Sequence, residues 1–483
     1  GAANDKATDD MKLSAKLFKT FVFAGSIVLA SALPKSASAD NLSDAMIGAY
    51  KSSGLLDQNR ALLRASDESV AAAVAALRPV INYTITAQTR HNRVLTSRTH
   101  ALITETETNG LVPALSLTWL LYDGGATRLT RLGAQETVLA TRQSLLQIEQ
   151  QVLFSAVQAY VNVLQQQEIV QLRSNNLRLL QEELKASQDR FEVGEVTRTD
   201  VALAQSRVAS ARANLIESRG DLQEAQATYV EVVGHPIGVV AGQPPLPQRA
   251  ASIRAAEAVA VRNHPSLLAQ QHTVKAADYA VQSAKKALGP RLSLSADASV
   301  TYNWNDSTDT NSTGASLTYS QPLYAGGALA STVRARYAQL DAAKGALVST
   351  RRAVAQDVAA AYASLDAAAA SLLSSNESVR AARVAFDGIR EEATLGARTT
   401  LDVLQAEQDL LNAQTARVQA RANQALAAYS LLQAQGLLTA EHLGLAVEIY
   451  DPTLYYNMVK DAPAQLSRRS RDLDRVLRAI GKN

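Results

Sequence analysis

The chain contains the same turn twice: residues 193–201 read Val-Gly-Glu-Val-Thr-Arg-Thr-Asp-Val, and residues 395–403, 202 positions later, read Leu-Gly-Ala-Arg-Thr-Thr-Leu-Asp-Val. A glycine adopts the left-handed conformation that ends a helix at low cost, and a carboxylate near a helix start satisfies free backbone amides. Both stretches are therefore predicted to be tight tips between two helices. The predicted helix ends are Gly194 and Gly396, and the predicted restarts are Asp200 and Asp402.

A second motif repeats with the same displacement. Tyr122-Asp123-Gly124-Gly125-Ala126 returns as Tyr324-Ala325-Gly326-Gly327-Ala328, again 202 positions later. Repeats of this size indicate a duplicated unit. The seam is predicted between Gly234 and Pro247, where four of the chain's 12 prolines form a linker. The predicted organisation is residues 1–39 as upstream residues and leader, 40–240 as the first repeat, 241–450 as the second and 451–483 as a C-terminal tail.

Each repeat contains one very long helical stretch. Residues 125–191 and 327–392 lack proline and follow a Gly-Gly pair, and apolar side chains recur in them at spacings of three and four, as in packed helices. Each is predicted to be one helix of about 65 residues, or about 100 Å. Shorter helices at 201–233 and 403–437 run back along them, and single helices at 42–77 and 251–288 precede the strands. A helix of this length suits a shaft or a tube rather than an ordinary globular domain.

Two stretches in each repeat have strand periodicity. Ile81, Tyr83 and Ile85 alternate with polar residues, and residues 291–304 alternate in the same way. Four strands of about 10–13 residues are expected, with polar loops around residues 91–110 and 305–313. The aromatic residues near the predicted strand ends, which suit a membrane interface, are Trp119, Tyr122, Tyr302, Trp304 and Tyr324. The same pattern also fits a soluble sheet with one wet face.

Residues 11–39 have the organisation of a secretory leader. Met11 begins a basic stretch, residues 21–30 are a short apolar run, and Ala37-Ser38-Ala39 predicts cleavage before Asp40. Beyond it no uninterrupted apolar stretch of about 20 residues occurs, so a membrane-embedded mature chain requires a closed β-barrel. Four strands cannot close a barrel, which needs about eight, so the chain is predicted to be a homo-oligomer. Three copies would supply twelve strands and twelve helical rods.

Composition excludes several classes of protein. Hydrophobic residues make up 47 % of the 483 residues and cysteine is absent, which excludes disulfide scaffolds, cysteine-ligated metals and cysteine nucleophiles. The net charge of +3, without a basic stripe interleaved with aromatics, argues against a nucleic-acid partner. No phosphate-binding loop, H-E-x-x-H or G-x-S-x-G motif occurs, so no catalysis, cofactor or metal site is expected. Residues 464–483 carry five arginines and one lysine against two aspartates, which suits phosphate or an anionic membrane surface as well as a solvated end.

The order of elements, the Tyr-x-Gly-Gly motifs and the duplicated tips together resemble the TolC family of outer-membrane efflux and secretion proteins, over about residues 40–450. The resemblance implies a mostly α-helical fold with a β membrane part. In it, a homotrimer joins a periplasmic α-barrel of long antiparallel helices to a twelve-stranded β-barrel in the outer membrane of a Gram-negative bacterium. It also implies a periplasmic adaptor that docks at the tips and an inner-membrane transporter driven by ATP or protons. Tyr450-Asp451-Pro452 and the basic tail resemble members serving type I secretion with an ATP-binding cassette exporter.

The resemblance further implies roles for individual tip residues. Asp402 matches an acidic position lining the closed entrance, and Arg398 matches a residue that helps to hold the entrance shut. Gln405 stands where the best-known member has a second aspartate, which leaves a single carboxylate ring. From the residues alone, Asp200 and Asp402 serve as helix caps, and this structural role stays open beside the entrance role. The predicted adaptor-docking tips comprise Gly194, Thr199, Asp200, Gly396 and Thr399.

The sequence thus predicts a passive, gated conduit across the outer membrane and periplasm, with energy supplied by a partner. The principal alternative is an exported coiled-coil scaffold or adhesin with a small soluble sheet and no channel activity. A hydrolase of the cell envelope is a further alternative, opposed by the lack of a recognisable catalytic constellation.

Overall fold

The computed structural model describes residues 40–95, 98, 102–238, 240–304, 308–465 and 467–480; the predicted leader, 1–39, lies outside the described residues. Long helices form a shaft, and a four-stranded sheet extends from one end of it. The elements in chain order are α1 Leu42–Ser52, α2 Gly54–Ala75, β1 Val80–Leu95, β2 Leu102–Tyr122, α3 Ala126–Glu192, α4 Arg198–Val233, α5 Ile253–Asn263, α6 Pro265–Lys286, β3 Arg291–Asn303, β4 Thr310–Ser320, α7 Ala328–Thr394, α8 Thr400–Ala434, α9 Pro452–Val459 and α10 Arg468–Ile480.

The predicted long helices are confirmed. α3 and α7 each span 67 residues, and the return helices α4 and α8 span 36 and 35. α4 packs back along α3, and α8 along α7. At 1.5 Å per residue, each of the two long helices is about 100 Å long. The helices of the two halves match in order and closely in length, whereas the strands of the first half are longer. The internal duplication itself stays a prediction.

The predicted single helices at 42–77 and 251–288 are wrong, because each is two helices. Ser53 takes an extended conformation between α1 and α2, and its hydroxyl caps α2 by accepting from the backbone N of Leu56 at 3.3 Å. His264 is extended between α5 and α6 because it precedes Pro265, whose ring disfavours a helical residue before it. The apolar periodicity continues across both breaks and so does not reveal them.

The four strands form one antiparallel sheet in the order β1-β2-β3-β4. β1 and β2 are longer than predicted, at 16 and 21 residues, because residues 102–110 extend the hairpin instead of forming a loop. His91 Nε2 lies 2.7 Å from Glu105 Oε1 across this extension. β4 likewise begins at Thr310, inside the predicted loop 305–313. Polar cross-strand pairs stabilise strands too, so a polar composition does not by itself indicate a loop.

One face of the sheet is apolar across the strands and the other is polar. The apolar rows, read across neighbouring strands, are Ile81–Leu117–Ala296–Ala315 and Tyr83–Leu115–Ala298. A polar row on the opposite face is Asn82–Ser116–Asp297–Gly314. Among the described residues no helix packs along either face, and Tyr83 is 65 % exposed. β1 and β4 are edge strands, so within the described part of one chain the sheet has an uncovered apolar face and two open edges.

Four of the predicted interface aromatics lie at two levels of the sheet. The helix-proximal level of the sheet holds Trp119 and Tyr122, and the distal level holds Tyr302 and Trp304. Tyr324 lies outside the sheet, four residues after β4 ends and four before α7 begins. Trp119 Nε1 donates to the carbonyl oxygen of Leu77 at 3.0 Å, which ties the sheet to the end of α2. Trp119 also pairs with Leu294, eight residues before Tyr302, so the two levels are about 26 Å apart along the strand. This separation matches the apolar band of a membrane barrel, about 25 Å tall.

The largest buried core lies in the middle of the shaft, where α1, α2 and the segment after α8 pack against α3. Tyr160 of α3 donates to the carbonyl oxygen of Gly242 at 2.9 Å, and Tyr429 of α8 donates to that of Pro245 at 2.8 Å. The linker between the two halves is therefore pinned to both long hairpins. This clamp leaves the sheet at one end and the tips at the other end outside the main core.

One described helix, α7, is long and apolar enough to cross a membrane, with an 18-residue window of mean hydropathy 1.2. Length and composition alone do not show that α7 crosses a membrane, because the core helix of a soluble protein has the same properties. α7 packs against α6 on the side of the sheet and against α8 on the side of the tips. It therefore occupies the same place in the shaft as α3.

Candidate entrance at the helical tips

The two helical hairpins end in tips with the same backbone geometry. Gly194 and Gly396 take left-handed φ angles of 82° and 79°, as predicted. The backbone N of Glu195 donates to the carbonyl oxygen of Arg190 at 2.9 Å, and the equivalent bond in the second tip is also 2.9 Å. Such a six-to-one bond ends a helix tightly and satisfies one of its free carbonyls. The tips therefore share one backbone structure and differ only in their side chains.

The return helices start at capping boxes in which threonine, not aspartate, is the cap. Thr197 Oγ1 accepts from the backbone N of Asp200 at 3.3 Å, and Asp200 Oδ2 accepts from that of Thr197 at 2.9 Å. Thr399 and Asp402 repeat this exchange at 3.2 and 2.9 Å. Each aspartate thus occupies the third helical position of a capping box, which corrects its predicted position at the helix start. Thr199 lies in the first turn of α4 and is not the cap.

The capping bonds stabilise the charged form of both tip carboxylates. Hydrogen bonds from the threonine caps lower the pKa of Asp200 and of Asp402, and Arg398 adds a smaller attraction that lowers the pKa of Asp402 further. Arg398 Nε lies 2.8 Å from Glu392 Oε2 in the last turn of α7. Within one chain, Arg398 therefore braces its own tip by an ion pair with Glu392.

Three polar residues form a solvent-accessible stripe on the first turns of α8. Asp402, Gln405 and Asp409 follow one another at i, i+3 and i+7, which places them on one face of the helix. Gln405 Nε2 donates to Asp409 Oδ1 at 3.1 Å. The two carboxylates are separated by two turns, or about 10 Å. The stripe thus holds a second carboxylate, Asp409, which lies one turn beyond Gln405, the position to which the family resemblance points. In the sequence, the spacing of seven residues between Asp402 and Asp409 is the pattern that predicts it.

A buried polar contact joins the two hairpins above the tips. Asn176 Nδ2 of α3 donates to Glu407 Oε1 of α8 at 2.9 Å, and both side chains are buried. Burial raises the pKa of Glu407 to about 7, with a contribution from the like charge of Glu183, against the hydrogen bond of Asn176 and the attraction of Arg390. Arg390 Nε of α7 lies 3.5 Å from Glu183 Oε1 of α3. These residues are not among the predicted site residues, and only the spacing of Glu407 from apolar Leu410 hints at burial in the sequence.

Apolar side chains close the same contact. Leu404 of α8 is 2 % exposed and packs in one cluster with Leu180 of α3 and Val208 of α4. On its other side α8 packs Val403 against Phe386 of α7. The α7–α8 hairpin is therefore held against α3 and α4 by an apolar contact and two polar contacts, all of which an outward movement of its tip must break.

The predicted site residues fall into two separate groups. The tip residues lie at one end of α3 and α7 and the sheet aromatics at the other, about 100 Å away. Within one tip the structure brings Arg398 close to Asp402, while Gln405 faces Asp409. Among the described residues no group of three or more metal-binding side chains occurs. The chemistry that the tips offer is fixed charge and hydrogen bonding, beside a contact between two hairpins that is part polar and part apolar.

Comparisons with known proteins lead to one family. The family described as "Outer membrane efflux protein" matches residues 49–235 and 258–437. The outer membrane efflux protein BepC of Brucella suis biovar 1 (strain 1330) is 36 % identical over 466 residues, covering 94 % of this chain and 96 % of that protein. The proteases secretion protein PrtF of Dickeya chrysanthemi is 26 % identical over 393 residues, covering 76 % and 84 %. Among solved structures, the Campylobacter jejuni CmeC outer membrane channel has a TM-score of 0.69 at 14 % identity, covering 90 % of this chain and 88 % of that one.

These similarities extend over nearly all of the described fold. The family match takes in both helical hairpins and the sheet, and the similarity to CmeC shows the same architecture of long helices and strands. The related proteins are channel components rather than enzymes. The chain therefore belongs to the outer membrane efflux protein family, as an outer-membrane channel of tripartite efflux or secretion systems that extends into the periplasm.

Proposed function

We propose that three copies of the chain form one continuous duct, with a twelve-stranded barrel in the outer membrane and a twelve-helix barrel in the periplasm. The observation that carries this proposal is the sheet, whose apolar face and two edges have no partner within the described part of the chain. Lipid suits the apolar face, and strands of neighbouring copies suit the edges, because an open edge is not tolerated in a membrane. Each repeat, 40–240 and 241–450, then supplies one strand hairpin and one helical hairpin.

The entrance of the proposed duct lies at the tips. Asp402, Gln405 and Asp409 line it on α8, and Arg398 holds the tip of that hairpin through its ion pair with Glu392. Opening is an outward movement of the α7–α8 hairpin from α3, in which the buried contacts between the hairpins separate. The surface that docks the periplasmic adaptor comprises Gly194, Thr199, Asp200, Gly396 and Thr399.

The duct is passive, and its partners supply selectivity and energy. We assign it to a homotrimer in outer-membrane lipid that works with a periplasmic adaptor and an inner-membrane transporter, driven by ATP or protons. BepC, which is an efflux protein by name and 36 % identical, supports efflux as the first role. The absence of a phosphate-binding loop from the sequence agrees with an energy source outside this chain.

Secretion of polypeptides is a second candidate role. The similarity to PrtF, a proteases secretion protein by name, at 26 % identity over 76 % of this chain favours it. In that case the transporter is an ATP-binding cassette exporter. Export of a drug or of a protease by cells that carry the chain with each type of transporter separates the two roles.

Conductance in a planar bilayer tests the duct and its entrance together. The detergent-extracted protein is compared with the Arg398→Ala/Asp402→Ala variant, and the mass of the particles is measured by light scattering. We expect trimers with a small resting conductance that rises in the variant. Folded monomers would favour the alternative function, an exported scaffold without channel activity. Folded trimers that do not conduct, whether wild type or variant, would favour it as well.

A further inference from the structure

The C-terminal tail runs along α1 and α2 toward the sheet. Three contacts mark its path in order: Tyr450 with Tyr50, Tyr455 with Glu68, and Ala462 with Arg78. The partners of the tail advance through α1 and α2 to residue 78, two positions before β1 begins. The tail therefore reaches the level at which the chain passes from helix to strand.

One buried side chain joins α10 to α2 and α9 near this level. Leu473 of α10 is buried in one cluster with Ala71 of α2 and Val459 of α9. Ala71 lies four residues before the end of α2 and nine before the first strand residue, Val80, so this cluster lies about one helical turn from the end of α2. The interface aromatic Trp119 is tied to Leu77 at the same level.

α10 carries its cations on the side opposite to its buried face. We define the basic stripe as Arg468, Arg471, Arg475 and Arg478, whose spacings of three, four and three place them on one side of the helix. Leu473, Val476 and Leu477 share the other side, where Leu473 is packed on the body. All four arginines are exposed, and among the described residues only Arg475 has a carboxylate within 4 Å, that of Asp472 at 3.3 Å.

We propose that the basic stripe binds the anionic headgroups of phospholipids in the periplasmic leaflet of the outer membrane, and so fixes the shaft to the membrane that surrounds the sheet. This inference rests on the proposed position of the strands in that membrane. Guanidinium groups bind phosphate oxygens in pairs, and basic segments beside a membrane-spanning part are attracted to anionic lipid. A membrane surface fits the stripe better than a protein partner, because the stripe lies at the level of the helix–strand junction and Leu473 already holds its helix in place.

Hydrogen exchange of the full-length trimer in lipid nanodiscs tests the proposal. Discs of phosphatidylcholine alone are compared with discs that also contain phosphatidylglycerol. The test variant replaces the four arginines of the basic stripe by glutamine, which keeps the helix propensity. The matched control replaces four exposed shaft arginines in the same way: Arg212, Arg219, Arg351 and Arg352.

In the wild type and the control, the α10 amides are expected to exchange at least about fivefold more slowly in the anionic discs, because one arginine beside an anionic surface contributes about that factor. The difference should vanish in the test variant and at high salt, and inorganic phosphate added to phosphatidylcholine discs should not reproduce it. Equal exchange rates for α10 in both discs would overturn the proposal, including the case in which a neighbouring copy or another protein covers the helix. Slow exchange that persists in the test variant would overturn it as well.

Discussion

Asp200 and Asp402 make nearly identical hydrogen bonds on two tips that differ in their other side chains. The hydroxyl of each threonine cap donates to the aspartate carboxylate, at 2.7 Å in the first tip and 2.8 Å in the second. Loss of either carboxylate therefore removes the same capping-box hydrogen bonds to the threonine, together worth about 1 kcal/mol. If both aspartates are only structural, Asp200→Ala and Asp402→Ala should change the channel conductance equally. If Asp402 also lines the entrance, only Asp402→Ala should change it.

Asp402→Ala is expected to raise the resting conductance of the trimer, and Asp200→Ala is expected to leave it unchanged. If the lost bonds and charge destabilise the closed entrance by about 1 kcal/mol, the open population rises about fivefold. Single-channel recording in planar bilayers measures this, and thermal unfolding of the two variants checks that they lose similar stability. Equal conductances of the two variants would mean that both aspartates act only in helix capping.

Glu407 is expected to make the contact between α8 and α3 sensitive to pH. Burial raises its pKa from the ordinary 4.5 to about 7, so the closed contact retains a proton that a water-exposed carboxyl would release. Rising pH between these two values therefore favours separation of α8 from α3, by at most about tenfold per pH unit for one carboxyl. We expect more frequent opening at pH 7.5 than at pH 5.5. The charged residues on the surrounding helices are Arg178 and Glu183 of α3, Arg207 of α4, and Arg383, Asp387 and Arg390 of α7.

Glu407→Gln tests this assignment, because glutamine keeps the shape and hydrogen bonding of the protonated acid but does not titrate. Channel opening in this variant should depend much less on pH. The control is Glu182→Gln, in which an exposed acid paired with Arg178 at 3.2 Å is neutralised. If Glu407→Gln and wild type respond to pH alike, Glu407 does not carry the response.

At the scale of the element, the two faces of β2 are expected to tolerate charge very differently. Leu115 lies on the apolar face between Tyr83 and Ala298, close to midway between the two aromatic levels, and Ser116 lies beside it on the polar face. Leu115→Arg should destabilise the membrane-inserted sheet by about 2–4 kcal/mol, while Ser116→Arg, next to Asp297, should be tolerated. The fraction of heat-resistant trimer in outer-membrane extracts measures the difference. Equal loss, or none in either variant, would contradict the assignment of the apolar face to lipid.

The elements also show how far local sequence determines this fold. Glycine, proline and periodicity predict both 67-residue helices nearly to their ends, because a helix is determined by residues a few positions apart. They fail at Ser53, where a side-chain cap interrupts a continuous apolar pattern, and at residues 102–110, where pairing with β1 makes a strand of a polar stretch. The tip glycines were predicted, but the capping threonines became clear only from the hydrogen bonds.

At the scale of the whole molecule, the contacts that hold the entrance join residues far apart in sequence. Asn176 and Glu407 are 231 positions apart, and no local pattern in one sequence indicates that they meet. The middle of the shaft is clamped, since Tyr429 binds the linker at Pro245. The proposed movement of the α7–α8 hairpin is therefore expected only between this clamp and the tip, and it would have to separate Arg390 from Glu183.

A reversible cross-link between the hairpins tests this movement. The chain has no cysteine, so Glu183→Cys/Arg390→Cys introduces the only thiols, and a reducible bifunctional maleimide can join them. In the Asp402→Ala background the cross-link should return the raised conductance to the wild-type level, and reduction should restore it. The matched control is Arg173→Cys/Glu217→Cys, which replaces an Arg–Glu pair 3.6 Å apart within the α3–α4 hairpin and should leave the conductance high. A high conductance after cross-linking residues 183 and 390 would mean that the entrance opens without separating α7 from α3.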